Sequence, residues 1–202
     1  MATKTKNDVV VLSPIKRDTI LIKLIGETEL ITHPFPEKAR KKIGDKVKGL
    51  PVKTKEKRSP EEEYKASFYY TADGKPAIPA IGIKNALVNA CRSIPDMAMT
   101  EARGRFHVLG DAEGMIPIES DPPYMREDMV RIGQGSADIR WRPGFRNWSC
   151  EFMIDYNASV ITIEQLINLV EIAGYSVGLC EWRPEKNGPY GRFRVATDAD
   201  NN

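Results

Sequence analysis

Arginine and aromatic side chains are interleaved through the second half of this chain, and together the two types can pair with phosphate groups and stack on bases. The planar guanidinium group of arginine suits both tasks better than the point charge of lysine does. Such a mixture is typical of surfaces that bind single-stranded nucleic acid. The candidate contact residues of this kind are Arg92, Arg140, Arg142, Trp182, Arg183, Tyr190, Arg192 and Arg194.

The tryptophans deserve separate mention because each lies within two residues of an arginine. A ring beside a guanidinium group can stack on a base while the cation neutralises the phosphate. We expect at least one of Trp141, Trp148 and Trp182 to be exposed and to stack in this way. The other two are expected to pack in the core, since tryptophan is mostly buried in folded proteins.

A second concentration of positive charge lies between residues 38 and 58, although the whole chain has a formal charge of only +2. This segment carries ten bases and two acids, together with few large apolar residues. Because it can bury little, we predict that residues 33–60 form a basic insertion or arm that loops out of the core. Its candidate phosphate contacts are Lys41, Lys42, Lys46 and Lys48. The alternative is an ordinary solvated face.

Residues suited to catalysis or to metal binding are sparse. His33 and His107 are the only histidines and belong to no catalytic motif. The acidic runs 61–63 and 127–128 could hold Mg²⁺, but consecutive residues of a strand point to opposite faces. The widely spaced cysteines, Cys91, Cys150 and Cys180, predict neither a disulfide framework nor a zinc site. We therefore predict no metal, no cofactor and no catalytic residue.

The 202 residues suffice for one core, so we predict a single domain with a flexible tail at 196–202. No apolar run approaches the about 20 residues that a membrane span needs. The first residues are polar and carry no secretion signal. We expect a cytoplasmic protein without membrane contacts.

The elements that must position these residues follow from periodicity and turn signals. We predict strands at 18–28, 64–70, 105–108, 115–118, 175–182 and 192–195, and a hairpin that pairs 137–141 with 149–156 across a turn at 142–144. A helix is predicted from about 81 to 92, and a second follows the capping box of Thr162 and Gln165 and ends at Gly174.

Without insertions this order becomes strand, helix, strand, strand, helix, strand. It predicts an α+β, ferredoxin-like (RRM-like) βαββαβ core, with a basic insertion after the first strand and extra β-hairpins. One sheet face of such a fold is open, and RNA-recognition modules stack bases on aromatic side chains there. The sequence lacks the RNP1-like octamer of those modules.

Two motifs resemble those of a known family. Residues 74–87, GKPAIPAIGIKNAL, are similar to the segment that opens the first helix in the RAMP superfamily of CRISPR-associated proteins. Residues 178–195, GLCEWRPEKNGPYGRFRV, resemble the C-terminal glycine-rich loop of that superfamily. The resemblance implies a protein that binds single-stranded nucleic acid, RNA rather than DNA. It also implies repeated subunits that assemble along the strand as a homo-oligomeric filament in a ribonucleoprotein complex, with other subunits as further partners.

The physical case for these motifs rests on backbone donors and charge. A glycine-rich turn allows N–H groups to approach a phosphate, and Lys84 adds a charge near a helix N-terminus. We predict that Lys84, Arg192 and Arg194 lie near one another and contact the strand.

Alternatives remain open at this point. The C-terminal sequence also resembles proteins of tailed bacteriophages, which favours a phage single-stranded-DNA-binding or recombination protein on the same scaffold, or a phage structural or assembly protein without nucleic acid. Some RAMP proteins cut RNA with a loop aspartate, for which Asp45 or Asp128 would be the candidate in an endoribonuclease.

Overall fold

Antiparallel strands form two sheets, accompanied by five helices, in the computed structural model, which describes residues 14–51, 58–95, 97–133 and 135–201. The fold is α+β with antiparallel sheets, as predicted. The strands are β1 (Arg17–Gly26), β2 (Leu30–Ile31), β3 (Tyr69–Tyr70), β4 (Pro76–Pro79), β5 (Phe106–Leu109), β6 (Met115–Glu119), β7 (Tyr124–Ile132), β8 (Ser136–Phe145), β9 (Ser149–Asn157) and β10 (Phe193–Val195). The helices are α1 (Glu37–Val47), α2 (Pro60–Ala66), α3 (Ala80–Ala90), α4 (Met99–Arg105) and α5 (Ile163–Ser176).

The larger sheet has the order β10-β1-β9-β6-β4-β3, and β5 pairs with β9 beside β6. Its central strand β9 alternates strictly, since Phe152 and Ile154 are buried while Glu151 and Met153 are exposed. This two-residue period turns one face of the sheet towards the core and the other towards solvent.

Helices α3 and α5 pack against each other and share a core with the buried residues of β1 and β9. The capping box predicted for α5 is present, because Thr162 accepts from the amide of Gln165, whose side chain accepts from the amide of Thr162. In α3, Ile83, Leu87 and Ala90 form the buried stripe that the sequence predicts. Each described helix is too short or too polar to cross a membrane.

The smaller sheet, of order β2-β8-β7, replaces the predicted hairpin between 137–141 and 149–156. Strand β8 pairs with β7, whereas β9 pairs with β1. The prediction was wrong because residues 142–144 continue β8 instead of turning. The chain reverses after Phe145, where Asn147 has a φ of 49°, a left-handed conformation that asparagine tolerates better than most residues.

The segments on either side of residues 52–57 are helical where a loop and a strand were predicted. Helix α1 occupies 37–47 and buries none of its residues. Helix α2 precedes the two-residue strand β3, so the predicted strand at 64–70 was largely wrong. Ser59 caps α2 by accepting from the amide of Glu62, and Pro60 lies in the first turn, a start signal that overrides the aromatic residues. Part of the basic segment, 52–57, lies outside the described residues.

The strand predicted at 175–182 does not form, because α5 continues to Ser176 and a loop follows. Gly174 does not end the helix. It allows the helix to approach β10, since a Cβ at this position would overlap the carbonyl oxygen of Phe193.

Replacement of Gly174 by alanine should therefore lower the free energy of unfolding by about 1–3 kcal/mol, the usual cost of overpacking a core. Gly82→Ala in α3 is the matched control, because a Cβ there meets nothing within 4 Å. The free energy of unfolding of this control should increase by up to about 1 kcal/mol, because alanine has a higher helix propensity than glycine. Urea unfolding measures both variants, and equal stabilities would contradict the close approach of α5 to β10.

Candidate nucleic-acid interface

A cleft of about 260 Å³ lies between α3 and the loop that follows α5, and it brings the two sequence motifs together. One wall is the face of α3 that carries Gly82, Asn85 and Asn89, from the first motif. The other wall is the stretch from Val177 to Glu181 with Arg183 and Glu185. His33 and Tyr69 also line the cleft. Segments that are about 100 residues apart in the chain thus face each other across one cavity.

The helical wall is polar because α3 is amphipathic. Residues 82, 85 and 89 recur at helical spacing and therefore share one face of the helix, while Ile83 and Leu87 lie in the core. Within the described ranges, the amides of Asn85 and Asn89 form no hydrogen bond to the protein. Asn85 is exposed to solvent and Asn89 is half-buried at the edge of the cleft.

The loop wall has an unusual backbone. Cys180, Trp182 and Asn187 have φ values of 60°, 48° and 59°, and Gly178 and Gly191 are also left-handed. A left-handed conformation costs free energy for a side chain with a Cβ, so the surrounding structure must hold it. Here the amide of Glu181 donates to Ile31 and that of Gly191 donates to Glu29, which fixes the loop to β2 and its entry.

The glycines of this loop serve its own packing. A Cβ at Gly188 would overlap the carbonyl oxygen of Trp182, and one at Gly191 would overlap that of Leu179. The amide of Gly188 donates to the carbonyl of Arg183 at 3.1 Å. The amides of Gly188 and Gly191 already donate within the protein. They are therefore not available to bind a phosphate, as the sequence had predicted for this loop.

A buried ion pair lies behind the loop wall. Arg142 is only 1% exposed, and its guanidinium donates twice to one carboxylate oxygen of Asp128, at 2.8 and 3.1 Å. It also donates to Glu181 at 3.2 Å and lies over the ring of Trp182, 4.6 Å from its centroid. Arg142 was predicted to contact nucleic acid, but its burial and its partners assign it to holding the loop.

Arg126 extends this cluster towards the surface. It donates to Glu29 at 2.9 Å and to Asp128 at 3.0 Å, and lies 4.8 Å from the ring centroid of Tyr190. Tyr190 in turn stacks on Trp182, with ring centroids 6.1 Å apart. Both rings are half-buried, so Trp182 and Tyr190 present only part of their surface to a ligand.

The remaining arginine candidates are held in ion pairs at the surface. Arg183 donates to Glu185 at 2.8 Å and to the carbonyl of Cys180 at 2.9 Å. The other pairs are Arg92 with Glu185, Arg140 with Asp138, Arg192 with Glu27, and Arg194 with Asp200 in the turn Asp198–Asn201. Of these five arginines, Arg92 is exposed and the other four are half-buried. An exposed ion pair is weak, so a phosphate can compete for Arg92.

Lys84 lies apart from the arginines of the last strand. Its ammonium group is 3.2 Å from the Nδ1 atom of His107 in β5, whereas Arg194 lies in β10. These two strands are three steps apart in the order β10-β1-β9-β5, which corresponds to about 14 Å at 4.8 Å per step. The predicted cluster of Lys84, Arg192 and Arg194 is therefore not formed.

A second cavity, of about 490 Å³, lies between α1, α2 and β8. Lys42 and Arg140 line it together with Arg58, which pairs with Glu63 and Asp138. Around it, Lys41, Lys46 and Lys48 are exposed and have no ion-pair partner among the residues that the structure describes. His33 lines this cavity as well as the cleft, so the two adjoin.

His33 is neutral at physiological pH. Burial lowers the pKa of its imidazole, and the positive charges of Arg142 and Arg140 lower it further, against a smaller opposite effect of Glu63. The hydroxyl of Ser67 donates to the carbonyl of Glu63 at 2.7 Å. The Nδ1 atom of His33, 3.2 Å from that hydroxyl oxygen, is therefore the donor in their hydrogen bond, which leaves Nε2 as an acceptor.

The side chains near the cleft that catalysis would require have other environments. Burial raises the pKa of the Cys180 thiol to about 12, so it is not a nucleophile at neutral pH. Asp128 forms ion pairs with Arg126 and Arg142. Asp45 lies within α1 and not in a loop. Among the described residues, no group of three histidine, cysteine or acidic side chains is arranged to hold a metal ion.

The open face of the larger sheet is not an aromatic platform. Its centre is a row of Leu21, Met153 and Leu109 on adjacent strands, all exposed. Of the tryptophans, Trp148 is buried and donates to the carbonyl of Thr28, while Trp141 is half-buried against Arg58. None of the three tryptophans is fully exposed.

Sequence reasoning missed Asn85, Asn89 and His33 as lining residues. Asparagines at a spacing of four on the polar side of a predicted helix were the only available signal, and that pattern usually marks a solvated face. His33 is brought to the site by its contact with Ser67, which lies 34 residues further along the chain.

No protein-family model and no curated protein matches this sequence. Among solved structures, the fold is similar to a chain in the cryo-EM structure of the Type III-B Cmr-beta bound to cognate target RNA, with a TM-score of 0.47 and 12% identity over 90% of this chain. This chain spans about 60% of the length of that one. It is also similar to Cmr6 from Pyrococcus furiosus, with a TM-score of 0.45 and 11% identity over 91% of this chain and 100% of the other.

At TM-scores below 0.5 the likeness does not decide the function of this chain.

Replacement of Arg142 by methionine should lower the free energy of unfolding by about 3–5 kcal/mol, because it leaves Asp128 buried with only part of its compensation. Urea unfolding of the variant measures the loss. Arg92→Met, at an exposed pair, should change stability by less than about 0.5 kcal/mol. A loss of similar size in both variants would contradict the structural role of the buried pair.

The free energy of unfolding should also decrease at acidic pH because of His33. A histidine whose pKa is lowered by folding stabilises the folded state fully above its ordinary pKa of about 6.5, and this contribution is lost as the pH falls below it. His33→Gln should reduce the decrease in unfolding free energy between about pH 7 and pH 5. If the variant follows the original pH profile, His33 is not held neutral by the fold.

Proposed function

We propose that this chain is a RAMP-like, single-stranded RNA-binding protein that acts as a subunit of a ribonucleoprotein complex. The observation that carries the proposal is that His33 lines both cavities, so that they lie next to each other. Lys42 and Arg140 line the first cavity, together with Glu37, Glu62 and Glu63, and Arg183 lines the cleft between the motifs. A strand that runs past both cavities meets these cations in turn.

The division of charge along this path supports binding of a strand through its backbone at one end. Lys41 and Lys46 are exposed on α1, a helix that buries none of its residues, and the exposed Lys48 follows it directly. Lysines of this kind neutralise phosphates and release counterions, which supplies affinity without reading the sequence. RNA is favoured over DNA because its 2′-hydroxyl groups give the neutral donors and acceptors of the cleft additional partners.

We further propose that the core is ferredoxin-like. The support is the order β10-β1-β9-β5, antiparallel at every step, in which α3 lies between β1 and β5 in the chain and α5 between β9 and β10. That is the strand order and helix placement of a βαββαβ unit. Helices α1 and α2 and the smaller sheet are then insertions.

Assembly with further subunits is also part of the proposal. Helix α1 exposes Ile43 and Val47, the latter by 83%, and the open face of the larger sheet exposes the row that contains Leu21. Exposed apolar groups collected on one surface mark interaction sites. Because the two surfaces differ, contact between them would be head-to-tail and would repeat along a strand.

Replacement of Lys41, Lys42, Lys46 and Lys48 by glutamine should weaken binding of unrelated single-stranded RNA sequences about equally. Each lost phosphate contact should make the dependence of log K on log salt shallower by about 0.7. Fluorescence anisotropy of labelled oligonucleotides over a range of salt concentrations measures both effects.

The control removes the same charge elsewhere, by glutamine at Lys16, Arg17, Arg103 and Arg131, which are exposed and lie outside α1, α2 and the two motifs. Equal weakening in the two variants would show that only net charge matters. Absence of salt-dependent RNA retention by the original protein would instead favour an assembly protein without nucleic acid.

A further inference from the structure

Strand β7 forms a free edge of the smaller sheet. It pairs with β8 along its whole length, and β8 is its only strand neighbour within the ranges that the structure describes. Alternate residues of an edge strand direct their N–H and C=O groups away from the sheet. In the same ranges, no backbone group of a turn or loop bonds to those of β7. The edge is nine residues long, or about 30 Å at about 3.4 Å per residue.

Strand β7 lacks the features that usually prevent an edge from pairing with another chain. Such edges carry lysine or proline, or a β-bulge that twists the strand away. The sequence YMREDMVRI contains neither residue type, and each of its residues opposes one residue of β8, so it has no bulge. Of its charged side chains, Arg126 and Asp128 bond to each other. This leaves Glu127 and Arg131 to determine which strand can pair with the edge.

One face of this edge is apolar at its centre. Met129 is 76% exposed, and Ile139, directly opposite in β8, is 40% exposed. Glu127 and Arg131 lie two residues before and after Met129 and point to the same face, because the side chains of a strand alternate. Both are exposed. The face therefore presents an acid, an apolar pair and a base in order along the strand.

We propose that β7 pairs antiparallel with β7 of a second copy of this chain, about a two-fold axis at Met129. In this register Met129 faces its counterpart, and Glu127 of each copy lies opposite Arg131 of the other. The side chains of Met129 and Ile139 from both copies then form one apolar patch flanked by two ion pairs. Opposite charges and apolar groups at facing positions stabilise a sheet.

Symmetry limits the register of such a pair. A two-fold axis perpendicular to the sheet places one residue of β7 opposite itself, because the contact is isologous. Like charges that face each other destabilise a sheet. This excludes the charged residues of β7 as the centre, namely Arg126, Glu127, Asp128 and Arg131. An axis at Val130 would place Met129 opposite Arg131 and Glu127 opposite Gly133, beyond the end of the strand. An axis at Met129 brings opposite charges together.

The contact joins the smaller sheets of both copies into one continuous sheet. Main-chain hydrogen bonds along residues 126–132 supply the affinity, and the side chains select the partner and the register. The contact involves neither α1 nor the open face of the larger sheet, to which the proposed function assigns other contacts. It requires no RNA, so its test does not depend on the proposed function.

Sedimentation velocity over a range of protein concentrations, without nucleic acid, should show a reversible dimer. Glu127→Arg and Arg131→Glu should each weaken dimerisation about tenfold, because each variant brings two pairs of like charges together. The double variant exchanges the two charges and should restore dimerisation. Glu119→Arg, at an exposed residue of β6, is the matched control and should dimerise as the original chain does.

Disulfide cross-linking tests the register directly. Met129→Cys places two thiols at facing positions, where Cβ atoms are about 4.5–5.5 Å apart, and oxidation by diamide should convert the variant to a covalent dimer. Met125→Cys is the control on the same face, since its two thiols would lie about eight residues apart along the strands, or about 27 Å. It should remain monomeric on a denaturing gel. Cys91 and Cys150 are buried, and the original chain measures any background from the native thiols.

Three outcomes would overturn the inference. A chain that stays monomeric at all concentrations would leave the edge of β7 to a strand of another protein. A double variant that dimerises no better than the single variants would show that Glu127 and Arg131 do not face each other. Cross-linking at residue 129 that does not exceed cross-linking at residue 125 would exclude the axis at Met129.

Discussion

The buried contact between Arg142 and Asp128 is the interaction on which the arrangement of the site depends. Removing two charges from water is costly, and their attraction offsets this cost only if the remaining hydrogen-bonding groups are also satisfied. In this protein the remaining groups are satisfied, because Asp128 also accepts from Arg126 and Arg142 also donates to Glu181. No buried side-chain nitrogen or oxygen in the described ranges lacks a partner.

This contact joins three parts of the chain that are distant in sequence. Asp128 lies in β7, Arg142 lies in β8, and Glu181 belongs to the loop after α5. Left-handed backbone at Cys180 and Trp182 costs on the order of 1–3 kcal/mol per residue, and it persists because neighbouring groups determine the loop completely. The guanidinium of Arg142 binds the carboxylate of Glu181 and stacks on the ring of Trp182, so one side chain holds two consecutive residues of the wall.

Local signals predicted the elements around the site better than they predicted the side chains within it. Strand β1, helix α3 and the capping box of α5 follow from periodicity and caps, which depend on neighbouring residues alone. The structural role of Arg142 does not follow from such local signals, because its partners lie 14 and 39 residues away in the chain. A sequence shows the sign of a charge but not whether a distant carboxylate neutralises it. The same limit explains the second sheet, since β8 could be paired only by knowing that Pro143 and Gly144 stay extended.

The two cavities are chemically different, and the difference follows from how each is built. Cations on an unburied helix keep their hydration and their rotamer freedom, so they attract phosphates without fixing the register of a strand. The cleft is walled by a helix whose inner face lies in the core and by a loop held through a buried ion pair, so the backbone of both walls is fixed. Phosphate contacts position a strand, and base contacts specify its sequence. In the proposed function, affinity and salt dependence come from α1 and any sequence preference comes from the cleft, and His33 lines both cavities.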